Sequence, residues 1–277
     1  MASLPAAAPL LTARSGRVKS ARRLVRRVFR AEHQLFLAEG PQAVREALAL
    51  PGCVREVFAV PSVRQAHPEI LAAAEAAHVS WQLVEDAALA SLAQTVQPQG
   101  LVAVCGLLDV ALEKVVSAGP LLVVCADVRD PGNAGTVIRC ADAAGADGVI
   151  LSGSSVDPYN GKTVRATAGS LFHVPLALVD DTADVVRRLR AAGTQVLAAD
   201  GAGEVDLDDT ADDDTLTRPT AWLFGNEAWG LPDDVAALAD RRVRIPIHGR
   251  AESLNLATAA AVCLYASARA QRRRHVR

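Results

Sequence analysis

The sequence predicts an α/β protein of two domains, a small one followed by a larger one built on a parallel sheet. Three observations lead there. The 277-residue chain is long enough for two cored domains. Short apolar runs alternate with helical stretches from residue 35 to about residue 106, and again, in longer units, from Leu121 onward. Between the two series, Leu107 to Pro120 reads as a short connecting helix with a Ser-Ala-Gly-Pro break, which divides the chain into 1–106, 107–120 and 121–277.

The opening "MASLPAAAPLLTARSGR" has an apolar patch with no basic start before it, and reads as a frayed terminus, not a secretory signal. From Arg14 to Arg30 there are eight Lys/Arg and no acid. Val18, Ala21, Val25, Val28 and Phe29 recur there at helical spacing. That spacing predicts one amphipathic helix with Arg22, Arg23, Arg26, Arg27 and Arg30 turned outward, able to lie along a phosphate backbone. "LFLAEG", "VREVFAV", "SWQLVE" and "GLVAVCGL" read as strands, interleaved with helical "PQAVREALAL", "HPEILAAAEAAHV" and "DAALASLAQ".

In the larger domain, strands are expected at "LLVVCADV", "DGVILSG", "LFHVPLALV", "TQVLAAD", "TAWLFG" and "RRVRIPI". Helices are expected to begin near Asn133, Gly161, Thr182, Pro232 and Ser253. Strand followed by helix, repeated, implies a parallel sheet covered on both faces. The Asp-rich piece from 201 to 218 reads as a solvated insertion.

Composition narrows the class. Although 51% of residues are hydrophobic, they fall in short runs, none near the roughly 18 apolar residues a bilayer span needs. A soluble, cytoplasmic protein is expected. Cys53, Cys105, Cys125, Cys140 and Cys263 are odd in number, widely spaced and without a C-x-x-C pair, as reduced core cysteines would be. His33, His67, His78, His173, His248 and His275 form no ligand-spaced set with them, so no metal is expected.

Three stretches carry the chemistry. "PGNAGTVIR" follows a strand and opens a helix, but a dinucleotide loop would need a third glycine and an acid about 20 residues on. Asn133 as a helix cap is the plain reading. Arg139, set between Val137-Ile138 and Cys140-Ala141, is expected to be buried with an anionic partner. In "WLFGNEAWGLP", Gly225 permits a close backbone approach and Glu227 sits in a turn. In "RIPIHGRAESLNLATAAAV", Ser253 is a reasonable cap, which leaves Asn255 unexplained, since Asn is poor inside a helix. Asn133, Arg139, Glu227, Ser253 and Asn255, with Gly225, Ile245 and Leu254 among them, lie on loops after three strands, where open α/β sheets bind ligands.

With these stretches in order, and "TVRATAGSLFHVP" between them, residues 121 to 270 resemble the SpoU/TrmH branch of the SPOUT RNA methyltransferases. "RVKSARRLVRRVFR", "FLAEGPQAV" and "TVQPQG" are more loosely similar to the family's RNA-capturing domain, of ribosomal-protein-like α/β/α fold. The resemblance implies a SPOUT domain whose C-terminal segment is threaded as a trefoil knot. S-adenosylmethionine would be held near Gly225, Ile245 and Leu254, with Leu223 and Phe224 beside them. The implied assembly is a homodimer, and the implied reaction is methyl transfer to a ribose 2'-hydroxyl of structured RNA. Arg139 would sit on the RNA phosphate beside the target ribose and orient the hydroxyl, a positioning role, since a guanidinium stays protonated and makes a poor base. Asn133 and Asn255 would fix hydroxyl and backbone geometry, Glu227 would brace Arg139 or a loop, and Ser253 would support the site by hydrogen bonding. Arg165 has two readings, an RNA phosphate contact or a core-edge cap. Ribosomal RNA (23S) is the preferred substrate because of the extra domain; transfer RNA and a non-catalytic RNA-binding role are the alternatives.

Overall fold

The computed structural model describes residues 10–274, so residues 1–9 of the stretch read as a frayed terminus, and His275, lie outside the described residues. The rest of that stretch is not frayed, for Leu11 bridges to Val84 and a helix begins at Gly16. The chain forms two compact units. The first runs to Leu107 and takes in Tyr159–Arg165; the second comprises Leu108–Pro158 and the chain from Ala166 on.

The first unit holds β1 (Leu35–Glu39), β2 (Val54–Ala59), β3 (Ser80–Leu83) and β4 (Leu101–Gly106) in the order β1-β4-β2-β3. β4 is antiparallel to β1 and β2, while β3 runs parallel to β2. Helices Pro41–Ala49 and Pro68–Ala76 each begin on proline, whose fixed φ suits the first helical position and whose missing N–H is no loss there.

The basic segment departs from expectation. It forms two helices, Gly16–Arg23 and Arg27–His33, in place of one. Val18 and Ala21 are buried, but Val25 and Val28 face solvent and Arg30 is buried, not turned outward. Arg30 Nη1 donates to the carbonyls of Leu24 (2.9 Å) and Val25 (2.8 Å), which have no partner inside a helix that has ended. Arg22, Arg23, Arg26 and Arg27 are exposed. Arg165 donates to the nearly buried carboxylate of Glu39 at 3.2 Å, and Glu39 also accepts from the Gln94 N–H and Thr95 Oγ1. That pairing fits the structural reading of Arg165.

The second unit contains β5 (Leu121–Ala126), β6 (Gly148–Ser152), β7 (Leu176–Val179), β8 (Gln195–Ala199), β9 (Val205–Asp206), β10 (Thr220–Phe224) and β11 (Arg241–Arg244). They form one sheet in the order β7-β6-β5-β10-β8-β11-β9, every neighbouring pair parallel. β5, β6 and β10 are buried along their whole length, as a sheet covered on both faces requires. Two strands are shorter than their apolar runs predict. β7 starts only after Pro175 and β11 stops two residues before Pro246, because proline cannot donate to the ladder.

Residues 107–120 hold a short helix, as expected. Leu112 and Val115 of the helix Leu112–Val116 are spaced i, i+3 and join the core with Leu122, Ile150 and Ala177. The Asp-rich piece is likewise built in. It supplies β9 and the helix Leu207–Asp212, and it buries Leu207, Thr210, Thr215 and Leu216. Two of its acids, together with Asp200 just before it, neutralise the arginines of β11: Asp213–Arg241 at 2.7 Å, Asp206–Arg244 at 2.6 Å and Asp200–Arg242 at 2.6 Å.

The Thr215 and Arg241 hydrogen bonds lower the Asp213 carboxyl from 3.8 to about 2. A depressed folded-state value stabilises above the unfolded value and is lost as pH falls through the folded one. The pair is half exposed, so its contribution is on the order of 0.2–1 kcal/mol. Asp213→Asn is expected to melt slightly below wild type at pH 7. The gap should close between about pH 4 and pH 2, as followed by circular dichroism.

Candidate active site

Because the sheet is parallel, β5, β8, β10 and β11 deliver their carboxyl ends to one edge, and the loops leaving them meet there. The loop after β5 leads into the helix Pro131–Ala144, whose N-cap is Asp130, with Oδ1 accepting the Asn133 N–H at 2.8 Å. Asn133 is therefore not the cap. Its side chain is left to face the other loops.

A chain of hydrogen bonds joins three of these loops. Asn255 Nδ2 donates to Asn133 Oδ1 (3.0 Å), and Asn133 Nδ2 donates to Glu227 Oε1 (3.1 Å). Glu227 also accepts the main-chain N–H of Asp130 (3.2 Å) and Arg129 (3.3 Å). Its carboxylate thus sits at the positive end of the helix Pro131–Ala144, where a negative charge is stabilised. Asn255 Oδ1 accepts from Ala257 (2.9 Å) and Thr258 (3.3 Å), which makes Asn255, not Ser253, the residue that opens the helix Leu256–Arg274. Asn255 is suited to that place, and the difficulty of an Asn inside a helix disappears.

These loops enclose a cleft of about 460 Å³. Asn133, Glu227, Ser253 and Asn255 line it, as do Phe224, Gly225, Ile245 and Leu254. Leu223 does not; it is fully buried in the sheet core, because alternate residues of β10 point to opposite faces. Arg139 does not either, and it is exposed, not buried. Ala134, Val137, Ile138 and Ala141 form the buried stripe of its helix. At 3.6 residues per turn, Arg139 falls on the face turned away from that stripe, although its sequence neighbours are apolar.

The cleft also contains Asp200, Gly201, Asn226, Val243, Ile247 and Glu252, which were not singled out from the sequence. The available signal was the position of Asp200 directly after β8, at the edge where ligands bind. Burial pushes the Asp200 carboxyl up, but the Ala202 N–H and the Arg242 guanidinium outweigh it and hold it below the ordinary range. Cys125, at the end of β5, is pushed up to about 12, by burial first and then by the charge of Glu227, so it is no thiolate nucleophile.

The lining is a fit for S-adenosylmethionine. Glu227 and Glu252 contribute carboxylates, as does Asp200 in its pair with Arg242, and among the described residues no Lys, Arg or His lines the cleft, which favours a cationic sulfonium over a polyphosphate. Leu254 and Ile247 leave over a third of their surface exposed at the cleft, apolar area that a nucleoside can cover. Gly225 is obligatory: a Cβ there would lie 2.3 Å from Gly230 C and 2.6 Å from Leu231 N. Gly225→Ala is expected to cost about 1–3 kcal/mol, seen by calorimetry as a lower melting temperature. Gly249→Ala, where nothing lies within 4 Å, should leave it unchanged.

Comparison with known proteins agrees with this geometry. Residues 120–265 match the SpoU rRNA Methylase family, and residues 16–103 match the MRM3-like substrate binding domain. The 23S rRNA (guanosine(2553)-2'-O)-methyltransferase RlmP of Bacillus subtilis (strain 168) is 34% identical over 92% of this chain and 96% of its own. The 23S rRNA (uridine(2479)-2'-O)-methyltransferase of Streptomyces viridochromogenes is 42% identical over 50% of this chain and 49% of its own. The AdoMet-bound rRNA methyltransferase from Sinorhizobium meliloti superposes with a TM-score of 0.80 at 38% identity, covering 95% of this chain and 96% of that one. The AdoMet complex of the SpoU methyltransferase AviRb superposes at 0.81 and 31% identity, covering 92% and 98%. By its sheet, its motif loops and these matches, the chain belongs to the SpoU rRNA methylase family.

Proposed function

We propose that this protein is an S-adenosylmethionine-dependent 2'-O-ribose methyltransferase acting on 23S ribosomal RNA. The observation that carries the reading is the meeting of Asn133, Glu227, Ser253 and Asn255 with Phe224, Ile245 and Leu254 in one cleft. Relatives named for a guanosine and for a uridine of 23S rRNA share only the ribose hydroxyl as target, which places the chemistry on the sugar.

When bound, S-adenosylmethionine supplies an electrophilic methyl group. The chain's task is to hold a weakly nucleophilic hydroxyl in line with it and to accommodate the proton that leaves. Asn133 and Asn255 have their amide orientations fixed by the bonds to Glu227 and to the Ala257 and Thr258 N–H groups. Each NH2 carries a second hydrogen, assigned here to the ribose and its backbone. Glu227 braces the loop that leads into the Pro131–Ala144 helix through Arg129 and Asp130, and so acts by positioning. Ser253 supports the cleft wall, and Gly225, Ile245 and Leu254 hold the cofactor, with Phe224 in the lining beside them and Leu223 behind, in the sheet core.

Arg139 holds the phosphate beside the target ribose. It reaches that phosphate from outside the cleft of its own chain, which in a homodimer includes the cleft of the second copy. The exposed Val262 and Tyr265 of the last helix, beside the Pro131–Ala144 helix, support such a pairing. A trefoil knot in the C-terminal segment belongs to the same reading, supported by β11 lying between β8 and β9 and by the last helix packing back on β10. The exposed Arg22, Arg23, Arg26 and Arg27 supply sequence-independent RNA affinity, and Arg165 holds its domain together through Glu39. A cytoplasmic location follows from the substrate; among the described residues, no helix is long and apolar enough to cross a membrane.

Labelled S-adenosylmethionine with unmodified 23S rRNA transcript is expected to yield 2'-O-methylated RNA, located by primer extension. Arg139→Ala should lower kcat about a hundredfold, the scale of a lost positioning contact, and leave cofactor affinity by titration calorimetry unchanged. An unmodified transcript with wild-type protein would refute the activity.

A further inference from the structure

The loop after β10 presents two residues of opposite character from one rigid turn. Asn226 and Gly230 exchange both main-chain hydrogen bonds at 2.9 Å, and Asn226 Oδ1 accepts the Ala228 N–H at 2.8 Å. Asn226 Nδ2 also ties the turn to the Asp127 carbonyl at 2.6 Å. Gly230 adopts φ +71°, which a side chain would strain. A turn fixed in this way directs Glu227 toward the loop after β5 and leaves Trp229 at the rim with 54% of its surface exposed. Trp222, on the strand just before, is fully buried.

A single exposed apolar side chain is ordinary. This one is not isolated. The Arg129 guanidinium lies 4.9 Å over the indole ring, and the Arg129 main-chain N–H is bonded to Glu227. An aromatic face and a planar cation thus lie together beside the cleft, on two loops that Glu227 joins through the Arg129 main-chain N–H and the Asn133 side chain.

The chemistry of the substrate calls for such a pair. A ribose can bring its 2'-hydroxyl into a cleft between loops only if its nucleotide leaves the RNA stack, which exposes the base on the adjoining C1' and the phosphate on the adjoining C3'. Proteins recover the lost stacking on aromatic rings and guanidinium planes. We propose that Trp229 and Arg129 form a shelf on which the base of the target nucleotide stacks while its ribose is methylated. The proposal rests on the methyltransferase reading above. Every base has a π face, so the shelf provides affinity and alignment and leaves base identity to other contacts.

Steady-state methylation of the 23S rRNA transcript by wild type, Trp229→Ala and Trp229→Phe tests it, alongside indole emission during RNA titration. Trp229→Ala is expected to raise KM for RNA about tenfold, within the range of base–aromatic stacking, with cofactor affinity unchanged. Trp229→Phe, which keeps a ring, should recover most of the loss. RNA should quench the emission of wild type, and this quenching should disappear in Trp229→Phe. An active wild type whose Trp229→Ala variant keeps KM within about twofold overturns the shelf alone. So does a KM rise accompanied by dissociation of a dimer in sedimentation, which would make Trp229 an interface residue. A wild type that binds cofactor yet methylates no 23S rRNA overturns the underlying reading and the shelf with it.

Discussion

One carboxylate organises the site. Glu227 arrives on the loop after β10 and accepts N–H groups from Arg129 and Asp130, residues almost a hundred positions earlier. It therefore fixes where the helix Pro131–Ala144 begins. Through Asn133 it also fixes Asn255, which caps the helix Leu256–Arg274. Two helix starts and one turn become a single hydrogen-bonded object, and a shift in any one must break a bond in another.

The sheet makes that meeting possible. β10 lies between β5 and β8, and β11 lies between β8 and β9, all parallel, so chain segments far apart in sequence end on one edge. Gly225 lets β10 turn against the backbone of Gly230 without a collision, which sets the depth of the cleft. Farther out, Asp200, Asp206 and Asp213 neutralise the arginines of β11 and its end, and this allows a strand with three arginines to stand inside a parallel sheet.

Charge is sorted by position in the second unit. Asp200, Glu227 and Glu252 line the cleft, whereas Arg129 and Arg139 are exposed outside its lining. A single electrostatic character throughout would attract either a sulfonium or a phosphate and repel the other. In the first unit Arg22, Arg23, Arg26 and Arg27 are all exposed.

The sequence alone determined the α/β class, the parallel sheet and the three loops that carry the site, because apolar periodicity and glycine placement are local properties. It could not decide which side of a helix would be covered. Arg139 has apolar neighbours in sequence and solvent around it in space, since consecutive helical residues point about 100° apart. Arg30, counted among the outward arginines, is buried because the carbonyls of Leu24 and Val25 need a donor where the helix breaks. The Asp-rich piece read as solvated because its acids outnumber its apolar residues. Only the folded chain shows that those acids face the arginines of β11 and that Leu207 and Leu216 reach the core. Capping falls to Asp130 and Asn255, in place of Asn133 and Ser253, through bonds to main-chain N–H groups two and three residues on. Any of the four side chains can cap locally, and the bond to Glu227 is what assigns Asn133 to the site.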